Sequence, residues 1–113
     1  MGKKVSISYF LSADGGAEGD VVLYEVEAAK RFVTKSVYIA YPPATYFELE
    51  LAIFRGIKQI APYTGVYQGD ANVIEDEFIE DISSAEHVIL HYKNNNATEV
   101  REAFVLVRGE LED

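Results

Sequence analysis

The chain has 113 residues, 49% of them apolar and none of them cysteine, which is enough to bury one core without disulfide staples. The missing cysteines exclude a disulfide framework, a thiolate metal site and a cysteine nucleophile. A formal charge of −9 and a pI near 4.6 set the chain against nucleic-acid phosphates and anionic membranes, so neither direct nucleic-acid binding nor membrane insertion is expected.

Lys3 and Lys4 precede the apolar stretch Val5 to Leu11. Serines break that stretch and it is too short for a secretory signal, so it reads as a strand. Val5, Ile7, Tyr9 and Leu11 alternate with Ser6, Ser8 and Ser12, giving one apolar and one polar face. Asp14 to Asp20, with three glycines, is a loop by composition. A second strand follows over Val21 to Val26, with Val22, Tyr24, Val26 and Ala28 on one face. Phe32 to Tyr41 is rich in Val, Ile, Thr and Tyr and reads as a third strand. Pro42 and Pro43 end it, since neither has an N–H to give to a ladder.

Two segments read both ways. Over Tyr46 to Ile60, Phe47, Leu49, Leu51 and Ile53 alternate as a strand does. Thr45 with Glu48, and the stripe Tyr46, Leu49, Ile53, Ile57, Ile60, instead fit a capped helix. The unbroken alternation favours a strand through about Phe54. Over Asn72 to Ile82 the four-residue spacing of Ile74, Phe78 and Ile82, with acids in the first turn, suggests a short helix. His87 to Lys93, Asn94-Asn95-Asn96 and Thr98 to Arg108 read as a β-hairpin. Ala103 to Val107 is apolar on both faces and is expected to be a central strand covered on both sides.

Together these elements form a single β-rich domain, residues 1–113. The reading is an all-β fold, an antiparallel β-sandwich or jelly-roll-like barrel of six to eight short strands. The alternative is an α+β domain with one or two short helices on an antiparallel sheet.

Charge is unevenly spread along the chain. Residues 1–60 carry seven basic and seven acidic side chains, so residues 61–113 supply the whole imbalance. The densest run is Asp70, Glu75, Asp76, Glu77, Glu80, Asp81 and Glu86, with no Lys or Arg among them. Repulsion inside such a run disfavours a compact state unless a partner, an ion or solvent offsets it. Of the eight tyrosines, Tyr41, Tyr46, Tyr63 and Tyr67 lie in or beside turns, where a large amphipathic ring suits recognition. These four tyrosines and the acids Asp70 to Asp81 are the candidate protein-interaction residues.

The sequence offers little to catalysis or to cofactors. His87 and His91 flank a strand sequence, Val88-Ile89-Leu90, which would hold them about 13 Å apart, too far for one ion. Asp14, Glu18 and Asp20 offer hard oxygens for calcium, but their spacing is not that of an EF-hand loop. The pairs Glu25/Glu27 and Glu48/Glu50 suit acid–base work only if one member is desolvated. Asn96-Ala97-Thr98 matches a glycosylation sequon by chance spacing. No catalytic, metal or cofactor site is therefore expected.

The reading of function is a non-enzymatic module acting through its surfaces, in self-assembly or with a protein partner. A capsid, decoration or adaptor subunit of a virus-like particle is the leading form, with a soluble chain residing in a virion or another large assembly. A small-ligand or carbohydrate-binding module, and an acidic inhibitor that imitates nucleic acid, are the alternatives.

Overall fold

The computed structural model describes residues 2–113, and no helix occurs among them. The strands are β1 (Lys3–Ala13), β2 (Glu18–Glu25), β3 (Arg31–Tyr41), β4 (Leu49–Arg55), β5 (Lys58–Ala61), β6 (Asn72–Glu77), β7 (Asp81–Ile82), β8 (His87–Asn94) and β9 (Arg101–Glu112). They form two antiparallel sheets ordered β1-β9-β3-β6 and β2-β8-β4-β5, with β7 continuing the β6 edge beside β3. The first and last strands lie side by side, Lys3 opposite Leu111 and Ala13 opposite Arg101. With β6 and β7 counted as one interrupted edge, this is an eight-stranded jelly roll, the all-β sandwich expected from the pattern. Its strands are not all short, since β1, β3 and β9 run for 11, 11 and 12 residues.

Alternation decides what is buried. Odd-numbered residues of β9, namely Ala103, Val105, Val107 and Gly109, face the second sheet, and even-numbered ones face out. Val37, Ile39 and Tyr41 of β3 meet Leu49, Leu51 and Ile53 of β4 and Val88 and Leu90 of β8 in the core between the sheets. Two bulges shift the period. In β3 the register slips between Thr34 and Ser36, so Phe32 and Thr34 point inward before it and Val37 and Ile39 after it. The Thr34 hydroxyl uses this bulge to bridge the gap between β6 and β7. It donates to the Phe78 carbonyl at 2.9 Å and accepts from the Glu80 N–H at 2.8 Å. In β2 the slip lies between Val22 and Tyr24. Val22 is therefore exposed, not on the buried face with Tyr24 and Val26 as the simple alternation implied.

Four other readings change in the structure. Residues 72–82 form edge strands, so the short helix is absent. A spacing of four satisfies a period of two as well as a helical stripe. Ile74, Asp76, Phe78 and Ile82 turn inward while Val73, Glu75, Glu77, Ile79 and Asp81 stay exposed. The helical alternative over 46–60 also fails, and Tyr46 and Phe47 lie outside the strand, in a turn. β8 and β9 are not a hairpin, because they belong to opposite sheets. The asparagines build a corner instead. The buried Asn94 amide donates to the carbonyls of Ala13, Asp14 and Glu99 at 3.1, 3.1 and 2.9 Å, and its oxygen accepts from the Asn96 N–H at 3.0 Å. Finally, the 14–20 loop is a tight turn, with Glu18 and Asp20 already paired to Lys93 and His91 in the ladder.

Candidate interaction surface

The four candidate tyrosines divide into two pairs. Tyr41 and Tyr67 are buried and present no ring to a partner. The Tyr41 hydroxyl donates to the Tyr67 carbonyl at 3.0 Å, and the Tyr67 hydroxyl donates to Asp76 Oδ2 at 2.6 Å. Tyr67 also exchanges both backbone hydrogen bonds with Leu51, which ties the 62–71 crossing to the core. Burial pushes both phenols above their ordinary value. The Glu50 charge adds to the effect at Tyr41, and the hydrogen bond and charge of Asp76 add to it at Tyr67. Tyr46 and Tyr63 are exposed, at 63% and 94%.

Tyr46 and its neighbour Phe47 sit at one end of the sandwich with φ of 54° and 58°. Bulky side chains rarely adopt this left-handed region, so surrounding bonds must hold them there. Asp70 Oδ1 accepts from the N–H groups of Ala44 and Thr45 at 2.9 and 3.3 Å. The Phe47 N–H reaches the Gly69 carbonyl at 3.1 Å. The Arg101 guanidinium lies 5.8 Å from the Tyr46 ring centre and binds Glu48 Oε1 at 3.0 Å. Two aromatic rings are thus fixed outward on a braced loop. Sequence reasoning missed Phe47, because the alternation absorbed it into the strand.

The acidic run has partners that its own sequence does not reveal. Arg108 of β9 pairs with Glu75 at 3.1 Å, and Arg31 of β3 with Asp81 at 3.1 Å. Arg55 and Lys58 converge on Glu80 at 3.1 and 3.5 Å, and Arg55 reaches Glu86 at 3.8 Å. Asp76 holds Tyr67, and Asp70 braces the 44–47 turn. Only Glu77 of the run has no hydrogen bond or ion pair from its side chain among the described residues. The run therefore acts first as an internal framework. Glu75, Glu77 and Asp81 stay exposed along the β6–β7 edge, where charge discourages unwanted strand pairing.

The outer face of the β1-β9-β3-β6 sheet carries an apolar band. Phe10, Phe104, Ala40 and Val73 stand in one row across the four strands. The next row is Ser8, Leu106, Tyr38 and Glu75. Phe10 and Val73 are 61% and 53% exposed, and Phe104 and Leu106 are half-buried. β9 is central as expected, but its outer side chains are not covered by another layer. Tyr38 meets Phe104 edge-on at 6.5 Å, and Arg108 lies 6.0 Å from the Tyr38 ring centre.

On the opposite face His91 stands between Asp20 at 2.7 Å and Glu18 at 3.2 Å, and His87 contacts Glu25 at 3.0 Å. Asp14 is not part of that group. Among the described residues no three His, Asp or Glu side chains gather as metal ligands do.

No family model matches the chain. No curated protein matches it either. Among solved structures, a chain of the cyanophage Pam1 capsid asymmetric unit is similar with a TM-score of 0.59 and 11% identity, over 96% of this chain and 85% of that one. A chain from the acidic stable capsid of Helicobacter pylori bacteriophage KHP30 is similar with a TM-score of 0.54 and 15% identity, over 96% and 93%. At such identities the likeness is one of fold. It supports the two-sheet fold and says nothing by itself of what the chain does.

Proposed function

We propose that this chain is a non-enzymatic structural subunit whose work is assembly, as a capsid or decoration component of a virus-like shell. The observation that carries the reading is the set of exposed apolar side chains held outward by rigid elements. Phe10 and Val73 stand on a sheet face, and Tyr46 and Phe47 on a braced turn. Leaving such groups in water is unfavourable, and clusters of them mark contact surfaces. The jelly-roll frame and its likeness to two phage capsid chains support the same direction as an analogy of fold. Within this reading Tyr46 and Tyr63, with Glu75 and Glu77, remain candidate contacts.

The nucleic-acid mimic draws little support. A mimic needs free carboxylates along one ridge, whereas Glu75, Asp76, Glu80, Asp81 and Glu86 are engaged within the molecule. The carbohydrate reading needs an open aromatic face; Arg101 takes one face of Tyr46, which leaves Tyr63 as its platform.

The test is native mass spectrometry and negative-stain electron microscopy of the purified chain, over a wide range of concentration and salt. Discrete oligomers or ordered particles are expected. A chain that stays monomeric up to about 1 mM, beyond the range of weak specific contacts, would refute the reading.

A further inference from the structure

The outer face of the β1-β9-β3-β6 sheet has a charge pattern that its own molecule leaves unfinished. A hollow of about 340 Å³ opens there, lined by Lys4, Ser6, Lys35, Ser36, Arg108 and Glu110. Lys4 and Lys35, like Lys3 and Lys93 elsewhere, form no ion pair among the described residues. Glu77, the one acid of the Asp70–Glu86 run whose side chain has no partner among the described residues, lies on the same face at the opposite edge. The ladder puts both at one level, because Ser6, Arg108, Ser36 and Glu77 form a single row across the four strands. The β1 edge thus offers Lys4 and Ser6, with Arg108 and Glu110 of β9 and Lys35 of β3 further in, and the β6 edge offers Glu75 and Glu77.

We infer that this face is covered by a second copy of the chain, related by a two-fold axis that runs along the strands between β9 and β3. The inference rests on the assembly reading above and names the surface that serves it. Two kinds of two-fold axis can lay this face on itself. An axis across the strands reverses the rows and sets the Phe10 row against the Lys4 row, burying charge against aromatic rings. An axis along the strands keeps each row level and exchanges its edges. Phe10 then lies over Val73 of the other copy, and Leu106 lies over Tyr38 beside the axis. Glu77 comes to the hollow that holds Lys4 and Lys35. Each copy supplies both halves, so every contact occurs twice.

Size sets the expected strength. Four strands about 4.8 Å apart and four rows about 6.6 Å apart make a footprint on the order of 500 Å² per copy. A standard stable interface buries about 800 Å² per partner. The pair is therefore weak in dilute solution, and it gains strength where other contacts of an assembly act with it.

The test uses the full chain. Because it contains no cysteine, a pair of engineered thiols reports one contact without background. In one copy Phe10 and Val73 lie on opposite edges of the sheet, about 14 Å apart by strand spacing, so they cannot bridge internally. Facing sheets lie about 10 Å apart, beyond the reach of a disulfide, so with a short bismaleimide that spans this gap the double variant Phe10→Cys/Val73→Cys is expected to give a covalent dimer on a denaturing gel. Neither single variant should do so. Sedimentation of the parent is expected to show a dimer in the micromolar-to-millimolar range. Phe10→Ser and Glu77→Lys, both at exposed positions that leave the melting temperature near that of the parent, should each weaken it about tenfold. A parent that associates with no effect of either variant and no cross-link overturns this face and leaves the assembly reading standing. A parent that never associates overturns both.

Discussion

Gly109 lies in the central strand β9 and points into the core, and replacing it by alanine tests how tightly the sandwich closes there. A Cβ at this position would come within 2.5 Å of the Val33 carbonyl oxygen and 2.6 Å of Phe32 Cζ. Neither neighbour is free to move. Val33 is held in the β3–β9 ladder, and the Phe32 ring is fully buried with the Tyr24 ring 5.2 Å away. Overpacking a close-packed core costs about 1–3 kcal/mol, and two immobile neighbours place this case at about 3 kcal/mol. That is a large part of the 5–15 kcal/mol typical of a domain, and it lowers Tm by roughly 10–15 °C. Urea denaturation of Gly109→Ala measures the loss. The double variant Gly109→Ala/Phe32→Leu checks its cause, because removing the ring makes room for the methyl. The double should be more stable than the sum of the singles predicts by about 1 kcal/mol or more. Gly56→Ala is the comparison. Nothing lies within 4 Å of its Cβ, and its φ of +58° leaves only a conformational cost of about 1 kcal/mol. A loss at Gly109 no larger than at Gly56, or strict additivity with Phe32→Leu, would falsify the steric reasoning.

Two further outcomes follow from buried polar groups. Tyr41 and Tyr67 hold their protons more tightly when folded than when unfolded, so their contribution is complete below the ordinary phenol value of about 10 and declines as pH rises above it. Denaturation between about pH 8 and 11 should show stability falling at the alkaline end. Tyr67→Phe should be about 1–2 kcal/mol less stable near neutrality and should decline less steeply, and equal slopes would remove Tyr67 from the account. Asn94→Ala strips three carbonyls of their donor at the corner between the sheets and should cost about 2–3 kcal/mol. If the measured cost is below about 0.5 kcal/mol, the backbone alone holds the corner.

Much of the fold was legible because burial follows alternation. The odd-numbered side chains of β9 follow the period of two throughout, and those of β1 follow it from Val5 to Ala13 except that Tyr9 is 37% exposed. The sandwich class followed from several such segments and from Pro42-Pro43 closing β3. What stayed hidden was pairing. A jelly roll joins strands far apart in sequence, so nothing local distinguishes the Asn94–Asn96 corner from a hairpin turn. Spacing by four hid the β6–β7 edge in the same way, since Ile74, Phe78 and Ile82 fit two periods at once. The bulge in β2 was also silent, because Val22 and Tyr24 differ in burial only through the partner strand.

The candidate surface was less legible, and the reason lies in what a one-dimensional reading can count. The Asp70–Glu86 run is uncompensated along the chain and largely compensated in space. Arg31, Arg55, Lys58 and Arg108 come from other strands to meet it. On the proposed reading, its contact surface therefore contracts to the exposed edge of β6, and to Glu77 above all. Tyr41 and Tyr67 likewise flank turns yet serve the core, because a hydroxyl with a fixed acceptor can be buried at small cost. The informative sequence feature was a violation, not a run. In β1 the polar face reads Ser6, Ser8, Phe10, Ser12, and one aromatic ring stands among hydroxyls. On β9 the outward Phe104 and Leu106 break the same rule, and the ladder aligns Phe104 with Phe10. An apolar residue on the face that alternation assigns to water is there either to meet a second layer or to meet another molecule. The described sheet has no second layer on that side, and the second copy proposed above would supply one.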